Sequence, residues 1–341
     1  MLADVRPARV QSLHIRLASE SWSGLPEILQ ISIHRLINSP AMLDVDLTGF
    51  ELADISIFRG CKSPRRIKLS EIARAGDIGA DAELTEQVGA APWPESCESL
   101  TVLDTVYLPS VFSWAITIPT FRALRELRLG FHPMDDMPHV ESLLNHVSET
   151  LESLHLQPIY SSWPTPANYI NLSGLRNLTD LRLSLGISAD SNPLPWTIFV
   201  LSTLGPNSLA HITIDLRVGG FDGEFHPSIL FEYLPFAALD AALNQPHLAG
   251  DALRSLCFTC FAYRTPRARG RGFSGRVAAE AQSTVDWLKE ALSSTEGILP
   301  RSRARDVFEV HELRFPPSRF FYWPGPLSWR TSVGVGPGFS V

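Results

Sequence analysis

A six-residue pattern with apolar residues at its first, fourth and sixth positions recurs along this chain at a constant interval. Its four clearest copies are centred on leucines 27 residues apart: Leu100, Leu127, Leu154 and Leu181. A constant interval over several copies indicates a repeat protein, in which each repeat folds as one supersecondary unit. Because one short unit cannot bury its leucines alone, neighbouring units must stack against one another. The interval therefore predicts a solenoid.

Less regular copies extend the pattern in both directions at unequal intervals. Their central apolar residues are Leu13, Val45 and Ile67 upstream and Ile212, Leu256 and Leu313 downstream. The interval of 27 residues lies within the period of leucine-rich repeats, about 20 to 29 residues. We therefore predict a leucine-rich-repeat solenoid of about ten irregular units over residues 1–315, with a basic insert loop at 264–276. An aromatic, proline- and glycine-rich tail follows at 316–341.

Strand geometry determines which side chains of each unit are buried. Successive side chains of a strand point to opposite faces, so Leu127 and Leu129 face one way and Arg128 the other. Parallel strands need long connections, which are commonly helices. Helical spacing of apolar residues predicts helices around residues 29–37, 140–147, 195–204 and 277–292. The predicted fold class is α/β: a horseshoe-shaped solenoid with a parallel sheet on its concave face and helices or irregular segments outside.

The polar residues between the buried ones should form columns across the concave face. One column contains His14, Asp46, Lys68, Thr101, Arg128, His155, Arg182, Thr213, Cys257 and Arg314, and a second contains Glu126, Ser153, Asp180, His211 and Glu312. The middle of the first column is basic, although the chain has a net charge of −7.

A basic strip on an acidic protein favours contact with an acidic or phosphorylated segment of a partner protein. The candidate partner-binding residues are Arg128, His155, Arg182, Thr213, Asp180 and His211. The alternative interpretation is an ordinary solvated strand face.

Two short motifs have the spacing of metal or cofactor sites. Cys257 and Cys260 form a C-x-x-C pair, but residues three apart on a strand point to opposite faces, which favours core packing over metal binding. Gly270, Gly272 and Gly275 fit G-x-G-x-x-G, but an arginine-rich spacer separates them from the preceding strand, which favours a flexible loop. We therefore predict no metal site and no cofactor.

The common catalytic motifs are absent from the sequence. It contains no G-x-S-x-G, no H-E-x-x-H and no P-loop. Acid–base chemistry needs two groups held within reach of a substrate, and the sequence gives no reason to pair any two. We predict no catalytic residues and not an enzyme; an enzyme with an unrecognised site is a distant alternative.

Charge and cysteine content restrict the partners and the compartment. The net charge of −7 argues against nucleic acid and acidic membranes, because binding to either relies on basic surface. The N-terminal residues have no apolar signal sequence, and no apolar run is long enough to span a bilayer. Four scattered cysteines favour buried free thiols over a disulfide framework. The predicted location is the cytoplasm or the nucleus.

Three repeats are similar to those of a known family. Leu124-Arg-Glu-Leu-Arg-Leu129, Leu151-Glu-Ser-Leu-His-Leu156 and Leu178-Thr-Asp-Leu-Arg-Leu183, separated by long irregular connections, resemble the leucine-rich-repeat region of fungal F-box proteins. The resemblance implies that the repeats recruit a substrate protein to a cullin–RING ubiquitin ligase. It also implies that an N-terminal F-box would bind the Skp adaptor of that ligase.

The F-box itself is not evident in the sequence. Leu25-Pro-Glu-Ile-Leu29 is similar to the opening of an F-box but is one residue too short, and it follows a repeat strand. We interpret it as part of a repeat helix, and expect a Skp-type adaptor as partner only if an F-box is encoded upstream. The alternative is a free-standing leucine-rich-repeat scaffold unrelated to ubiquitin.

Overall fold

The computed structural model describes the chain in segments: residues 10–17, 24–49, 58, 61, 63–70, 97–103, 123–131, 136–158, 170–187, 192–205, 209–218, 234–249, 252–262, 274–294 and 297–312. Within these segments the strands form one ten-stranded sheet. Every neighbouring pair is parallel, and the spatial order of the strands follows their order in the chain. The predicted α/β class with a parallel sheet is confirmed.

The strands are short, between five and eight residues each. They are β1 (Ser12–Arg16), β2 (Asp44–Thr48), β3 (Arg66–Ser70), β4 (Ser99–Leu103), β5 (Glu126–Phe131), β6 (Ser153–Pro158), β7 (Asp180–Ile187), β8 (His211–Val218), β9 (Ser255–Ala262) and β10 (Phe308–Glu312). Burial alternates along the first residues of β2 to β8, because one side of the sheet faces an apolar core.

One apolar position of each strand belongs to a continuous ladder across the sheet. The ladder contains Leu13, Val45, Ile67, Leu100, Leu127, Leu154, Leu181, Ile212, Leu256 and Phe308. The four leucines of the 27-residue interval are direct neighbours in it and are at most 2% exposed. The predicted equivalence of the repeat positions is therefore confirmed from β1 to β9.

The register of β10 differs from the prediction. Phe308 pairs with Leu256, whereas the predicted central residue, Leu313, lies outside the described residues. The physical reason is aromatic packing: the rings of Phe308 and Phe258 lie with their centroids 5.5 Å apart on the buried side of the sheet. The sequence pattern alone did not distinguish the two registers, because both place apolar residues at alternate positions.

This register changes one member of each predicted polar column. Glu309 pairs with Cys257, so Glu309 takes the place predicted for Arg314, which lies outside the described residues. Glu312 was expected in the second column, but its carboxylate accepts a hydrogen bond of 3.0 Å from Lys289 Nζ on the helix side of the sheet. Both predictions are wrong for the same reason, the shift of the strand along the chain.

Seven helices occur in the described segments. They are α1 (Glu27–Ile37), α2 (Met137–His146), α3 (Leu194–Thr203), α4 (Phe236–Leu243), α5 (Pro246–Ala249), α6 (Ser274–Ser293) and α7 (Pro300–Arg303). Helices α1, α2, α3 and α6 lie where helical spacing predicts them. Proline occupies the first or second position of α2 and α3, where the missing N–H costs no hydrogen bond.

The remaining helices and one boundary were not predicted. Helices α4, α5 and α7 have only four to eight residues, too few turns for a helical period to be recognised. Helix α6 begins at Ser274, so the last three residues of the predicted loop at 264–276 are helical instead, continuous with the alanine-containing stretch that follows. The rest of that loop and the tail at 316–341 lie outside the described residues.

The strand order determines where the helices pack. Crossovers between parallel strands are right-handed, and in a sheet whose strands follow chain order this handedness places crossover helices on one side. Helix α6 accordingly contacts β8, β9 and β10, and its Val285, Leu288 and Leu292 join the apolar core with the ladder residues. We call the opposite side of the sheet the polar face.

Candidate functional site

A continuous row of side chains crosses the middle of the polar face. This central row contains His14, Asp46, Lys68, Thr101, Arg128, His155, Arg182, Thr213, Cys257 and Glu309. The row arises because each of these residues directly follows a ladder residue and therefore points the other way. The predicted first column is confirmed from His14 to Cys257.

The six candidate partner-binding residues lie together on β5 to β8. Arg128, His155, Arg182 and Thr213 are consecutive members of the central row. Asp180 and His211 pair with each other two residues earlier on β7 and β8. Their proximity is a property of the structure, and their role in binding stays a prediction.

A hydrogen-bonded network links the central row to a further row that the sequence analysis missed. Arg182 donates two hydrogen bonds to the carboxylate of Asp215, at 2.7 and 3.1 Å. The Ser184 hydroxyl donates to the same carboxylate at 2.6 Å and lies 2.7 Å from Nε2 of His155. Asp215 and Ser184 are buried, each 2% exposed. They hold the exposed Arg182 guanidinium in one orientation.

A signal for this further row is present in the sequence. The alternation of apolar and polar residues continues past the six-residue pattern, through Ser184 to Leu185 on β7 and through Asp215 to Leu216 on β8. Both leucines are fully buried. Extending each strand by two residues would have placed Ser184 and Asp215 side by side on the polar face.

The network contains serine, histidine and aspartate, but its order of hydrogen bonds differs from that of a nucleophilic triad. In a triad the histidine lies between the other two residues and accepts the serine proton. Here Ser184 lies between them and gives its proton to Asp215, because a carboxylate can only accept. Nε2 of His155 must then donate to Ser184. This arrangement orients side chains; it does not activate the hydroxyl.

His155 is not a cation, contrary to the expectation that it adds to a basic strip. Its burial, followed by the charges of Arg128, Arg182 and Arg217, lowers its pKa from 6.5 to about 2. Among the described residues, the positive charges that act on His155 are those of these three arginines.

The β1–β3 end of the polar face is internally neutralised. Asp46 lies 3.0 Å from Nδ1 of His14 and accepts a hydrogen bond of 2.8 Å from Lys68. Asp44 is bound by Arg66, and this hydrogen bond lowers the pKa of the Asp44 carboxyl. Paired charges of this kind leave little net charge to attract a charged ligand.

A groove of about 670 Å³ runs along the N-terminal ends of β2 to β7. Ion pairs cross it between Arg65 and Glu98 at 3.3 Å and between Arg125 and Glu152 at 2.7 Å. Its lining contains three arginines and five carboxylates, so it is mildly acidic. An acidic ligand would therefore be attracted to the arginines of the central row and not to this groove.

The two cysteines of the C-x-x-C pair point to opposite faces, as predicted. Cys260 is fully buried, whereas Cys257 is partly exposed on the polar face. Burial raises the pKa of the Cys260 thiol to about 12 and also raises the pKa of the Cys257 thiol. Of the G-x-G-x-x-G motif, Gly270 and Gly272 lie outside the described residues, and Gly275 is part of α6.

Comparison with known proteins assigns no family. A scan against protein-family models gave no match, and a search of curated proteins gave no significant match.

Of the helices in the described segments, none combines the length and the apolar character needed to cross a membrane.

Proposed function

We propose that this protein is a leucine-rich-repeat solenoid of the horseshoe type and that its polar face binds a segment of another protein. The observation that carries this proposal is the in-register ladder of ten parallel strands. It turns one polar position of each repeat into a continuous row, as expected of an array whose strands line an extended binding surface. The 27-residue interval in the middle of the chain supports the same assignment.

The chemistry of the central row favours an acidic or phosphorylated partner segment. Three guanidinium groups, those of Arg128, Arg182 and Arg217, are close enough to His155 to affect its pKa. One buried carboxylate, that of Asp215, pairs with Arg182. A guanidinium that is already oriented loses less freedom on binding a phosphate or carboxylate. The half-exposed Arg182 has this property, because Asp215 fixes its position.

The test of this recognition should use Arg128 in preference to Arg182. Replacing Arg182 would leave the Asp215 carboxylate buried without its cation, so a loss of binding could reflect loss of structure. Arg128→Gln removes a charge from the central row and leaves the Arg182–Asp215 pair in place. Arg176→Gln, in the exposed turn before β7, is the matched control for the loss of one positive charge.

The measurement is binding to an array of phosphoserine and phosphothreonine peptides with their unphosphorylated counterparts. We expect phosphorylated or strongly acidic peptides to bind, and Arg128→Gln to weaken binding about tenfold, the effect of one charge-assisted hydrogen bond. Arg176→Gln should bind as the wild type does. Equal binding by both variants, or no preference for phosphorylated or acidic peptides, would contradict the proposal.

The proposal has two forms that differ in their link to ubiquitin. In the first, suggested by the resemblance to fungal F-box proteins, the polar face recruits a substrate to a ubiquitin ligase. In the second, the chain is a free-standing scaffold. Biolayer interferometry with a purified Skp-type adaptor separates them, because only the first form predicts association.

The thiol chemistry supports a reducing compartment, the cytoplasm or the nucleus. All four cysteines of the chain carry free thiols, and three of them are buried. Burial raises the pKa of Cys61 and of Cys97 to about 12, so these thiols stay protonated and unreactive.

A further inference from the structure

The corrected register of β10 brings two further metal-ligand types to the side chain of Cys257. Glu309 pairs with Cys257 across the β9–β10 boundary, and His311 follows two residues later on the same face. One ligand atom of each residue, the thiol sulfur, a carboxylate oxygen and a ring nitrogen, lies within 4.8 Å of the other two. Among the described residues, this is the one group of such side chains that meets this distance.

We propose that Cys257, Glu309 and His311 bind a single zinc ion at the β9–β10 end of the polar face. Sulfur, imidazole nitrogen and carboxylate oxygen are the three ligand types that zinc uses in proteins. Three protein ligands leave the fourth position of a tetrahedral ion for water. A thiolate ligand disfavours magnesium and calcium, which bind oxygen ligands.

Two of the three ligand atoms lie near the separation that zinc requires, and the third, the Cys257 sulfur, lies within 4.8 Å of both. Nε2 of His311 lies 2.9 Å from an oxygen of Glu309. Two such ligands, each about 2 Å from a tetrahedral ion, are about 3.3 Å apart. The side chains of His311 and Glu309 are 55% and 58% exposed, so they can adjust and the ion can enter from solvent. On binding, the Cys257 thiol releases its proton to water as the zinc–sulfur bond forms.

One neighbouring residue, Thr259, can orient the proposed ligands, and a nearby cysteine, Cys260, is excluded as a further ligand. Thr259 is adjacent to two of the proposed ligands. Its hydroxyl lies 3.8 Å from the Cys257 sulfur, and it is the residue of β9 that pairs with His311 of β10. Hydrogen-bonding groups of this kind orient metal ligands. Cys260 cannot take part, because it is buried on the opposite side of the sheet.

The alternative is an exposed ion pair between His311 and Glu309 beside an unrelated thiol. Exposed ion pairs contribute little to stability, so replacing either residue should leave the fold intact. Loss of zinc binding in such a variant would then report on the site itself. This feature makes the two interpretations separable by experiment.

The experiment titrates zinc into the metal-free chain of residues 1–341 in competition with a chromophoric zinc chelator. We expect one zinc ion per chain, with the affinity reduced at least about tenfold in Cys257→Ser and in His311→Ala. Cys260→Ser removes the other cysteine of the pair, and His146→Ala removes an exposed histidine at the end of α2. Both controls should bind zinc as the wild type does, with circular dichroism verifying the fold.

Cobalt provides an independent readout of the sulfur ligand. The cobalt-loaded protein should show a thiolate-to-metal charge-transfer band that disappears in Cys257→Ser and persists in the two control variants. The proposal is overturned if the wild type binds zinc no more tightly than Cys257→Ser and His311→Ala do. It is also overturned if the cobalt complex has no thiolate band.

Discussion

Arg182 both neutralises a buried carboxylate, that of Asp215, and presents part of its guanidinium to solvent. The side chain of Asp215 is 3% exposed, whereas that of Arg182 is 47% exposed. A carboxylate this deeply buried is tolerated only when its oxygens are hydrogen-bonded, and Arg182 and Ser184 supply these bonds. The rest of the guanidinium stays exposed to solvent on the polar face.

His155 gives a prediction for pH dependence. Its pKa is about 2 in the folded protein and 6.5 for an ordinary histidine. Below about pH 6.5 the unfolded chain binds a proton that the folded chain does not, so stability falls as the pH drops. Relative to His155→Gln, the wild type should lose on the order of 1 kcal/mol of unfolding free energy between about pH 7.5 and about pH 5.5.

Urea unfolding of both proteins at the two pH values measures this loss. His211→Gln, which removes an exposed histidine from the same face, controls for the change of one imidazole to an amide. An NMR resonance of the His155 ring that titrates near its ordinary pKa in the folded protein would show that the ring is not held neutral.

At the scale of elements, helix α7 depends on a residue far away in the sequence. No side chain at its own N-terminus caps it. Instead, the buried carboxylate of Asp240 in α4 accepts hydrogen bonds from the backbone N–H groups of Arg301 at 3.1 Å and Ser302 at 2.8 Å, and from the Ser302 hydroxyl at 2.6 Å. The first turn of a helix has N–H groups without helical partners, and these bonds satisfy two of them.

We therefore expect Asp240→Ala to reduce the free energy of unfolding by about 1 to 3 kcal/mol, because buried donors lose their acceptor. Asp240→Asn keeps one acceptor oxygen and should cost less. Urea denaturation gives both values. Asp306→Ala, at an exposed aspartate just after α7, is the control. If it destabilised the protein as much as Asp240→Ala does, the capping role would be wrong.

At the scale of the whole molecule, each strand pairs only with its neighbours in the chain. Stability in such an array is the sum of local contributions, and its ends are less well packed than its middle. Leu154, in the sixth strand, is fully buried, whereas the equivalent Leu13 in β1 is only partly buried. The same residue type therefore has different energetic weight at the two positions.

Leu154→Ala should lower the free energy of unfolding by about 2 to 5 kcal/mol, the usual cost of a cavity in a core. Leu13→Ala, its matched counterpart in the same ladder, should cost about 1 kcal/mol, since less apolar surface is lost. Chemical denaturation of the two variants measures the difference. Equal losses in unfolding free energy would contradict the expectation that the end of the array is less well packed than its middle.

The local pattern of the sequence was sufficient to determine most of the fold. Alternation places Leu127 and Arg128 on opposite faces, and the constant interval brings equivalent residues into register, because both effects act within one repeat or between adjacent ones. The positions of β1 to β9 and the central row up to Cys257 followed from these two facts, and the helical spacing of apolar residues indicated four of the helices. The candidate residues on β5 to β8 were predictable for the same reason.

The remaining features were decided by tertiary structure, since they depend on neighbours that no local pattern specifies. Packing of Phe308 on Phe258 selected the register of β10 and so placed Glu309 beside Cys257. The neutral state of His155 results from burial and from charges on other strands. Contacts between side chains distant in sequence set pKa values, side-chain distances and strand register, and only the folded chain brings those side chains together.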